Sequence, residues 1–256
     1  MEGTLGLVIP AYKPDVDRLL SYVEEVVAEL DPEEVRLELD AADDETVDRL
    51  AGAPALVNAV PYRRGKGAAI TTGFEALETD VLAFADADGS TPAFELARIV
   101  DAVVEGRADL AVGSRRHPEA TVSTHQTFAR RRLGDSFAWL ARRLLTVRLY
   151  DYQCGAKATT AEGWEEVREH IYDPGFAWDI ELVAMAGALE LRVEEVPVEW
   201  HDVPGSTVSP IGDSVRLART LIAVRHRAKR LRNSRLHSAI AERRTTPEAL
   251  VEKEQR

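Results

Sequence analysis

Leu82-Ala-Phe-Ala-Asp86-Ala-Asp88-Gly-Ser-Thr-Pro92 runs an apolar stretch straight into two carboxylates one residue apart. The apolar residues read as a buried strand, and Pro92 after Thr91 reads as the first turn of a helix. A strand that delivers acidic residues at its C-terminal end fits a parallel sheet, whose ligands sit beyond the carboxyl ends of the strands. Alternate residues of extended backbone share a face, so Asp86 and Asp88 are expected to converge on one point. Two hard oxygen ligands suit Mg²⁺ or Mn²⁺, which would keep its other positions for phosphate and water. The competing reading is a solvated turn with an aspartate helix cap.

Working outward, apolar runs of strand length alternate with amphipathic segments of helix length. Leu5–Ile9, Val35–Leu39, Ala55–Val60, Val81–Phe84 and Leu110–Val112 read as buried strands. Asp15–Leu30, Asp44–Leu50, Lys66–Leu77 and Pro92–Val104 read as helices. This order predicts an α/β fold with helices on both faces of a mainly parallel sheet. In the second half Phe128–Tyr150 is an arginine-rich amphipathic segment, Asp151–Ala158 and Val193–Trp200 are strand-like, and Ala161–His170 and Asp179–Leu189 are helical. A basic amphipathic helix fits Gly212 to about Arg232. The polar tail from Asn233 carries few large apolar residues and is read as partly helical or disordered.

The chain has 256 residues and a net charge of −12, spread unevenly. Residues 1–112 hold 24 acidic and 9 basic side chains, and the remainder 20 and 23. An acidic balance argues against nucleic acid as a partner. Only 5 of the 32 basic residues are lysine, a composition of the kind found in proteins adapted to high salt or encoded by GC-rich genomes. Cys154 is the single cysteine, which excludes an intramolecular disulfide, and it reads as a small buried residue. No stretch approaches about 18 uninterrupted apolar residues, and the start lacks the basic-then-apolar pattern of a secretory signal. The expectation is a cytoplasmic protein whose membrane contact is peripheral.

Six motifs stand in order: Val8-Ile9-Pro10-Ala11-Tyr12, Arg64-Gly65-Lys66-Gly67-Ala68-Ala69-Ile70, the Asp86 segment, Gly113-Ser114-Arg115, Gln153-Cys154-Gly155-Ala156-Lys157 and Val196-Pro197-Val198-Glu199-Trp200. Over roughly residues 4–230 they resemble the family-2 glycosyltransferases with the nucleotide-sugar-binding A-type (GT-A, Rossmann-like) fold. Within that family they look most like dolichyl-phosphate glucosyltransferases and dolichyl-phosphate mannose synthases. The glucosyl branch is favoured by Ala-Asp-Ala-Asp-Gly-Ser-Thr and by Trp200-His-Asp-Val-Pro-Gly-Ser-Thr-Val-Ser-Pro210. The resemblance implies a single catalytic domain over 1–212, a C-terminal helix over 213–232 and a tail over 233–256.

It also implies roles. Pro10, Ala11 and Tyr12 would flank the nucleotide base. Asp86 and Asp88 would hold the cation against the diphosphate, with Lys66 nearby, although Lys66 also reads as a plain helix-start cation. Where the family usually has Asp-Asp-Gly-Ser, this chain has Leu39-Asp40-Ala41-Ala42, so Asp40 is either the base reader or a helix cap. Arg115 and the pair Arg132 and Ser136, four apart on one helical face, would grip the acceptor phosphate; the alternative for the arginines is a solvated charged face. Asp151 resembles an acidic residue near the reacting centre. Asp179 is favoured over Glu181 for such a role, since on a helix the two diverge by about 200°.

A polyprenyl phosphate is already an anion near neutral pH, because its second pKa is ~6. Transfer from UDP-glucose therefore needs no strong base, and a direct displacement would invert the anomeric centre. For the lipid tail, Val215, Leu217, Leu221, Val224, Ala228 and Leu231, and likewise Phe128, Phe137, Leu140, Leu144 and Val147, offer apolar stripes flanked by arginines; each stripe equally fits ordinary helix packing. The competing functions are transfer of mannose or another sugar, and a catalytically inactive binding or scaffold protein. The histidines show no metal-ligand spacing, and neither a P-loop nor Gly-Xaa-Gly-Xaa-Xaa-Gly is present.

Overall fold

The computed structural model describes residues 3–123, 128–201, 210–232 and 248–254, without the side chains of 123, 128–133, 210–219 and 254. The first half is built as the hydrophobic pattern dictates: β1 (Leu5–Tyr12), α1 (Val16–Leu30), β2 (Glu34–Asp40), α2 (Asp44–Leu50), β3 (Leu56–Val60), α3 (Lys66–Glu75), β4 (Val81–Ala85), α4 (Ala93–Val104) and β5 (Leu110–Ser114). Then follow β6 (Thr121–Ser123), α5 (Phe128–Leu144), β7 (Ala156–Thr160), α6 (Ala161–Val167), α7 (Trp178–Ala188), β8 (Val193–Pro197), β9 (Glu199–His201), α8 (Pro210–Leu231) and α9 (Leu250–Glu254).

Seven strands form one sheet in the order β3-β2-β1-β4-β7-β5-β8. β7 alone runs antiparallel, pairing Val81↔Thr160 through Ala85↔Ala156 on one side and Leu110↔Thr159 through Val112↔Lys157 on the other. The expected mixed, mainly parallel sheet is therefore observed. Period two along the strands builds two cores. Leu82 and Phe84, with Val8, Leu110 and Val112, face α3, α6 and α7. Val81, Ala83 and Ala85, with Leu7, Ile9 and Ala111, face α1 and α4. Each fully buried Leu, Val or Phe side chain contributes roughly 1.5–3 kcal/mol. Helix α7 is buried on every side, as befits a helix apolar all round.

Five local expectations are corrected. β3 is not buried: it is the edge strand of the sheet, its residues are exposed or half-buried, and Leu56 is among the exposed large apolar side chains. Asp151–Ala158 is not one strand: Asp151 Oδ1 accepts the Gln153 N–H at 3.0 Å, a side-chain turn that delays β7 to Ala156. Val193–Trp200 breaks at Pro197, which has no N–H to continue a ladder; Glu199–His201 instead pairs with the unanticipated β6. Pro92 caps α4 from outside, and Ala93 is the first helical residue. The helix read over Ala161–His170 tightens after Val167 into a 3₁₀ turn.

The described members of the apolar stripes on α5 and α8 pack against the core. Leu221, Val224 and Ala228 are buried in the α7-side core, with Leu231, Phe137, Leu140, Leu144 and Val147 packed against it. The side chains of Phe128, Val215 and Leu217 lie outside the described residues. Of the tail, α9 packs inward, with Ala249, Leu250 and Val251 buried and the Leu250 N–H bonded to Ile171 O at 2.9 Å. Among the described residues no helix is long and apolar enough to cross a membrane.

Candidate functional site

The chain passes from β1 to β2 and β3 on one side, then returns to place β4 on the other. That reversal opens a crevice at the carboxyl ends of β1 and β4. Pairing of β1 with β4 stops at Val8↔Phe84, whereas pairing with β2 continues to Tyr12↔Asp40. Pro10 and Ala11, both buried, lie in the unpaired stretch beside the crevice, and Tyr12 carries the Arg63 guanidinium 4.2 Å above its ring.

Asp86 follows β4 directly, and its N–H donates to Gly155 O at 2.8 Å. A β-carbon on Gly155 would fall inside the Asp86 carboxylate, so the glycine is what lets that side chain lie there. The Asp86 carboxylate stands 2.9 Å from Lys66 Nζ and is about two-fifths exposed. Asp88 is not on extended backbone. The chain turns after Asp86, and Asp88 Oδ1 accepts the Ser90 N–H at 2.9 Å. The strand-alternation argument for convergence is thus corrected: the turn, not the pleat, positions the second carboxylate. The two groups still sense each other. Desolvation raises the Asp86 carboxyl above its ordinary value, Lys66 opposes this, and Asp88 adds to it. Tyr22 braces the turn, its hydroxyl donating to Thr91 O at 2.8 Å.

Lys66 opens α3 between two glycines that allow the helix to press on the 173–178 segment. Gly65 has φ of 103°, and a β-carbon there would strike Pro174 O; one on Gly67 would lie 2.5 Å from Trp178 Cβ. So held, Lys66 Nζ also reaches Asp179 Oδ2 at 3.2 Å. The other Asp179 oxygen is 2.5 Å from Lys157 Nζ, which donates to Cys154 O at 2.7 Å as well. Period two in β7 turns Lys157 toward α7, where its charge is buried. Burial would raise the Asp179 carboxyl, but Lys157 and Lys66 outweigh it and hold it below the usual range. Glu181 points elsewhere: it pairs with Arg227 of α8 and accepts the Tyr172 and Asp173 N–H groups, each at 2.7 Å. The divergence expected of a helix is what separates the two acids.

Asp40 caps nothing; the α2 cap is Asp43, whose side chain accepts the Thr46 N–H. Asp40 instead accepts from Arg64 Nε at 2.8 Å and from the Gly65 N–H at 2.7 Å, so both carboxylate oxygens are engaged. Arg64 also reaches the fully buried Glu38 at 2.9 Å.

Arg115 and Asp151 meet each other: Nε lies 2.7 Å from Oδ2 and Nη2 3.1 Å from Oδ1, with the guanidinium 5.4 Å from the Trp200 ring centroid. Burial would raise the Asp151 carboxyl, yet the Arg115 charge brings it down to about 2. Burial pushes the Cys154 thiol up to about 11, which keeps it inert near neutrality. Ser136 is exposed on α5, and the Arg132 side chain lies outside the described residues.

Among the described residues no set of three or more His, Cys, Asp or Glu is arranged for a metal ion. The pair Asp86 and Asp88 nevertheless fits a hard divalent cation, because both donors are carboxylates two residues apart at the end of β4, near enough for Asp88 to raise the Asp86 carboxyl. Lys157, Gly155, Tyr22 and Arg64 had no assigned role from sequence. A lone lysine among Ala and Thr in a buried strand was the one signal that pointed to an acidic partner.

Residues 7–147 match the model of Glycosyl transferase family 2. "Glycosyltransferase AglD" of Haloferax volcanii is 32% identical over 82% of this chain and 35% of its own length. The "Dolichyl-phosphate beta-glucosyltransferase" of Drosophila melanogaster is 29% identical over 86% of this chain and 74% of its own. The chain spans about a third to a half of AglD and of the Saccharomyces cerevisiae enzyme of the latter name, 35% and 52% respectively. Glucosyl-3-phosphoglycerate synthase from Mycobacterium tuberculosis, solved with Mn²⁺, UDP and glucosyl-3-phosphoglycerate, superposes with a TM-score of 0.65 at 18% identity, covering 87% of this chain and 78% of that one. The fold is shared.

Proposed function

The chain belongs to glycosyl transferase family 2, and on that basis we propose that it transfers glucose from UDP-glucose to a polyprenyl (dolichyl) phosphate, with inversion and with Mg²⁺ or Mn²⁺, at the cytoplasmic face of a membrane. The observation that carries this reading is the contact of Lys66 with Asp86, two residues before Asp88, where the pairing of β1 with β4 ends. The names of the relatives, dolichyl-phosphate beta-glucosyltransferase, support the sugar and the acceptor. In this reading Pro10, Ala11, Tyr12 and Asp40 line the nucleotide, Asp86 and Asp88 hold the cation, and Arg115 with Arg132 and Ser136 receive the acceptor phosphate.

The residues present suit that task. A bound divalent ion would supply charge neutralisation to the departing diphosphate. Lys66 adds a positive charge on the same side, kept in place by Asp179. The acceptor is an anion before it arrives, so no side chain has to remove a proton. Asp179 accordingly serves as an anchor, since its two oxygens are held by two lysines. Arg115, whose Nε and Nη2 are held by Asp151 and whose guanidinium lies beside Trp200, presents Nη1 in a fixed position as a donor to a phosphate.

Incubating the full chain with UDP- and GDP-sugars, dolichyl phosphate and Mn²⁺ tests the proposal. The expected result is a β-linked glucosyl lipid, formed from UDP-glucose and lost with Asp88→Ala. Turnover that persists in excess chelator, or an α-linked product, would sink it.

A further inference from the structure

The ammonium of Lys66 touches two carboxylates of unlike exposure. Asp86 is about two-fifths open to solvent, whereas Asp179 is buried and also held by Lys157. Ion pairs near solvent are weak, whereas breaking a buried one strands a charge. A competitor for Asp86 therefore detaches Lys66 from that side alone. The lysine stem supports such a change: a compact charge with three donors on a flexible chain, lying 5.2 Å from the Phe84 ring centroid. The backbone beneath it is held at several points: the α3 start packs through Gly65 and Gly67 against Pro174 and Trp178, the Ala68 N–H bonds to Pro174 O at 3.1 Å, and the Gly65 N–H bonds to Asp40.

We propose that Lys66 is a resident counter-ion of the donor site: it occupies Asp86 until a divalent cation arrives, yields that carboxylate, and turns its freed donor to the diphosphate while Asp179 keeps it tethered. This rests on the reading of Asp86 and Asp88 as cation ligands. Two consequences follow. The cation alone binds weakly, since it must displace an ammonium already in contact. Cation and nucleoside diphosphate bind cooperatively, since the diphosphate gives the displaced ammonium a new partner, and that coupling is reciprocal.

The test titrates Mn²⁺ alone, and UDP in saturating Mn²⁺, into the full-length wild type, Lys66→Gln and Lys66→Arg, with calorimetry as the readout. Lys66→Gln keeps hydrogen-bonding capacity without charge. It should bind Mn²⁺ alone more tightly, by about fivefold or more, and UDP more weakly by a similar factor. These opposite signs separate a counter-ion from a merely structural lysine, whose loss weakens both. Lys66→Arg keeps a cation beside Asp86 in a rigid fork, and should bind Mn²⁺ no tighter than wild type and UDP at least about fivefold more weakly. A glutamine variant with unchanged or weakened Mn²⁺ binding overturns the proposal, and so does an arginine variant that binds Mn²⁺ more tightly, whether or not the glutamine variant folds. Wild type that fails to bind UDP in Mn²⁺ overturns the cation reading of Asp86 and Asp88 instead, and with it this inference.

Discussion

The carboxylate of Asp86 occupies the space a side chain at Gly155 would need, and the two residues are also joined through Asp86 N–H to Gly155 O at 2.8 Å. Gly155→Ala therefore displaces the acid without touching the crevice directly. Metal-dependent UDP binding and glucosyl transfer should fall about 100-fold, the scale on which a misplacement of an ångström acts. Calorimetry and a lipid-product assay check this. Wild-type activity in the alanine variant would show that Asp86 need not lie where it does.

Lys157 and Asp179 form a pair with both side chains almost wholly excluded from solvent. Lys157→Met leaves the acid with Lys66 as its remaining ammonium and should cost about 3 kcal/mol. Urea unfolding measures it; a loss under about 1 kcal/mol would mean that the pair contributes little beyond its desolvation cost.

Asp151 titrates at about 2 against an ordinary 3.8, because Arg115 outweighs the effect of burial. A carboxyl lowered on folding stabilises the protein above its unfolded value and stops doing so as pH falls through the folded one. The contribution, about 2 kcal/mol at neutral pH, should fade between pH 4 and pH 2. Unfolding free energies of wild type and Asp151→Asn should converge across that window, and a gap constant with pH would contradict the pairing.

Glu181 behaves oppositely. Burial raises its carboxyl even against the nearby Arg227. An acid raised on folding costs more as pH climbs past its unfolded value, and Arg227→Met raises it further. The variant should lose about 3 kcal/mol at pH 8 and clearly less at pH 5, read from urea unfolding at both.

Trp139 is exposed on α5 with the Arg143 guanidinium 5.3 Å from its ring, and Ile222 is exposed on α8. Among the described side chains of α5 and α8 these two are the exposed large apolar ones, and the membrane reading is tested on them. Flotation with anionic liposomes should drop severalfold in a Trp139→Ala, Ile222→Ser double variant, and unchanged flotation would remove both helices from that reading.

The first half of the sheet was legible because β4 and β5 are apolar runs ended by Asp86 and Gly113, while β2 alternates Val35, Leu37 and Leu39 with charged residues up to Asp40. The second half was harder to read. At Asp151 a side chain takes over a backbone donor, and at Pro197 the ladder lacks one; a hydropathy pattern records neither event. Asp86 and Lys66 were legible as a pair of motifs. That Lys66 lies between Asp86 and Asp179, 113 residues further on, depends on how α3 and α7 face each other, which no local spacing contains. The Asp40–Arg64 contact was hidden for the same reason, since it joins the ends of β2 and the β3–α3 loop.

β7 lies between β4 and β5 although it follows both in the chain. As the polypeptide is synthesised, Val81–Ala85 and Leu110–Ser114 emerge as strands with unfilled edges, and these stay open until Thr160 appears. Such edges invite intermolecular pairing. A fragment ending at residue 147 holds the whole family-matched stretch and still lacks the strand that closes the sheet, so its expected fate on expression is aggregation.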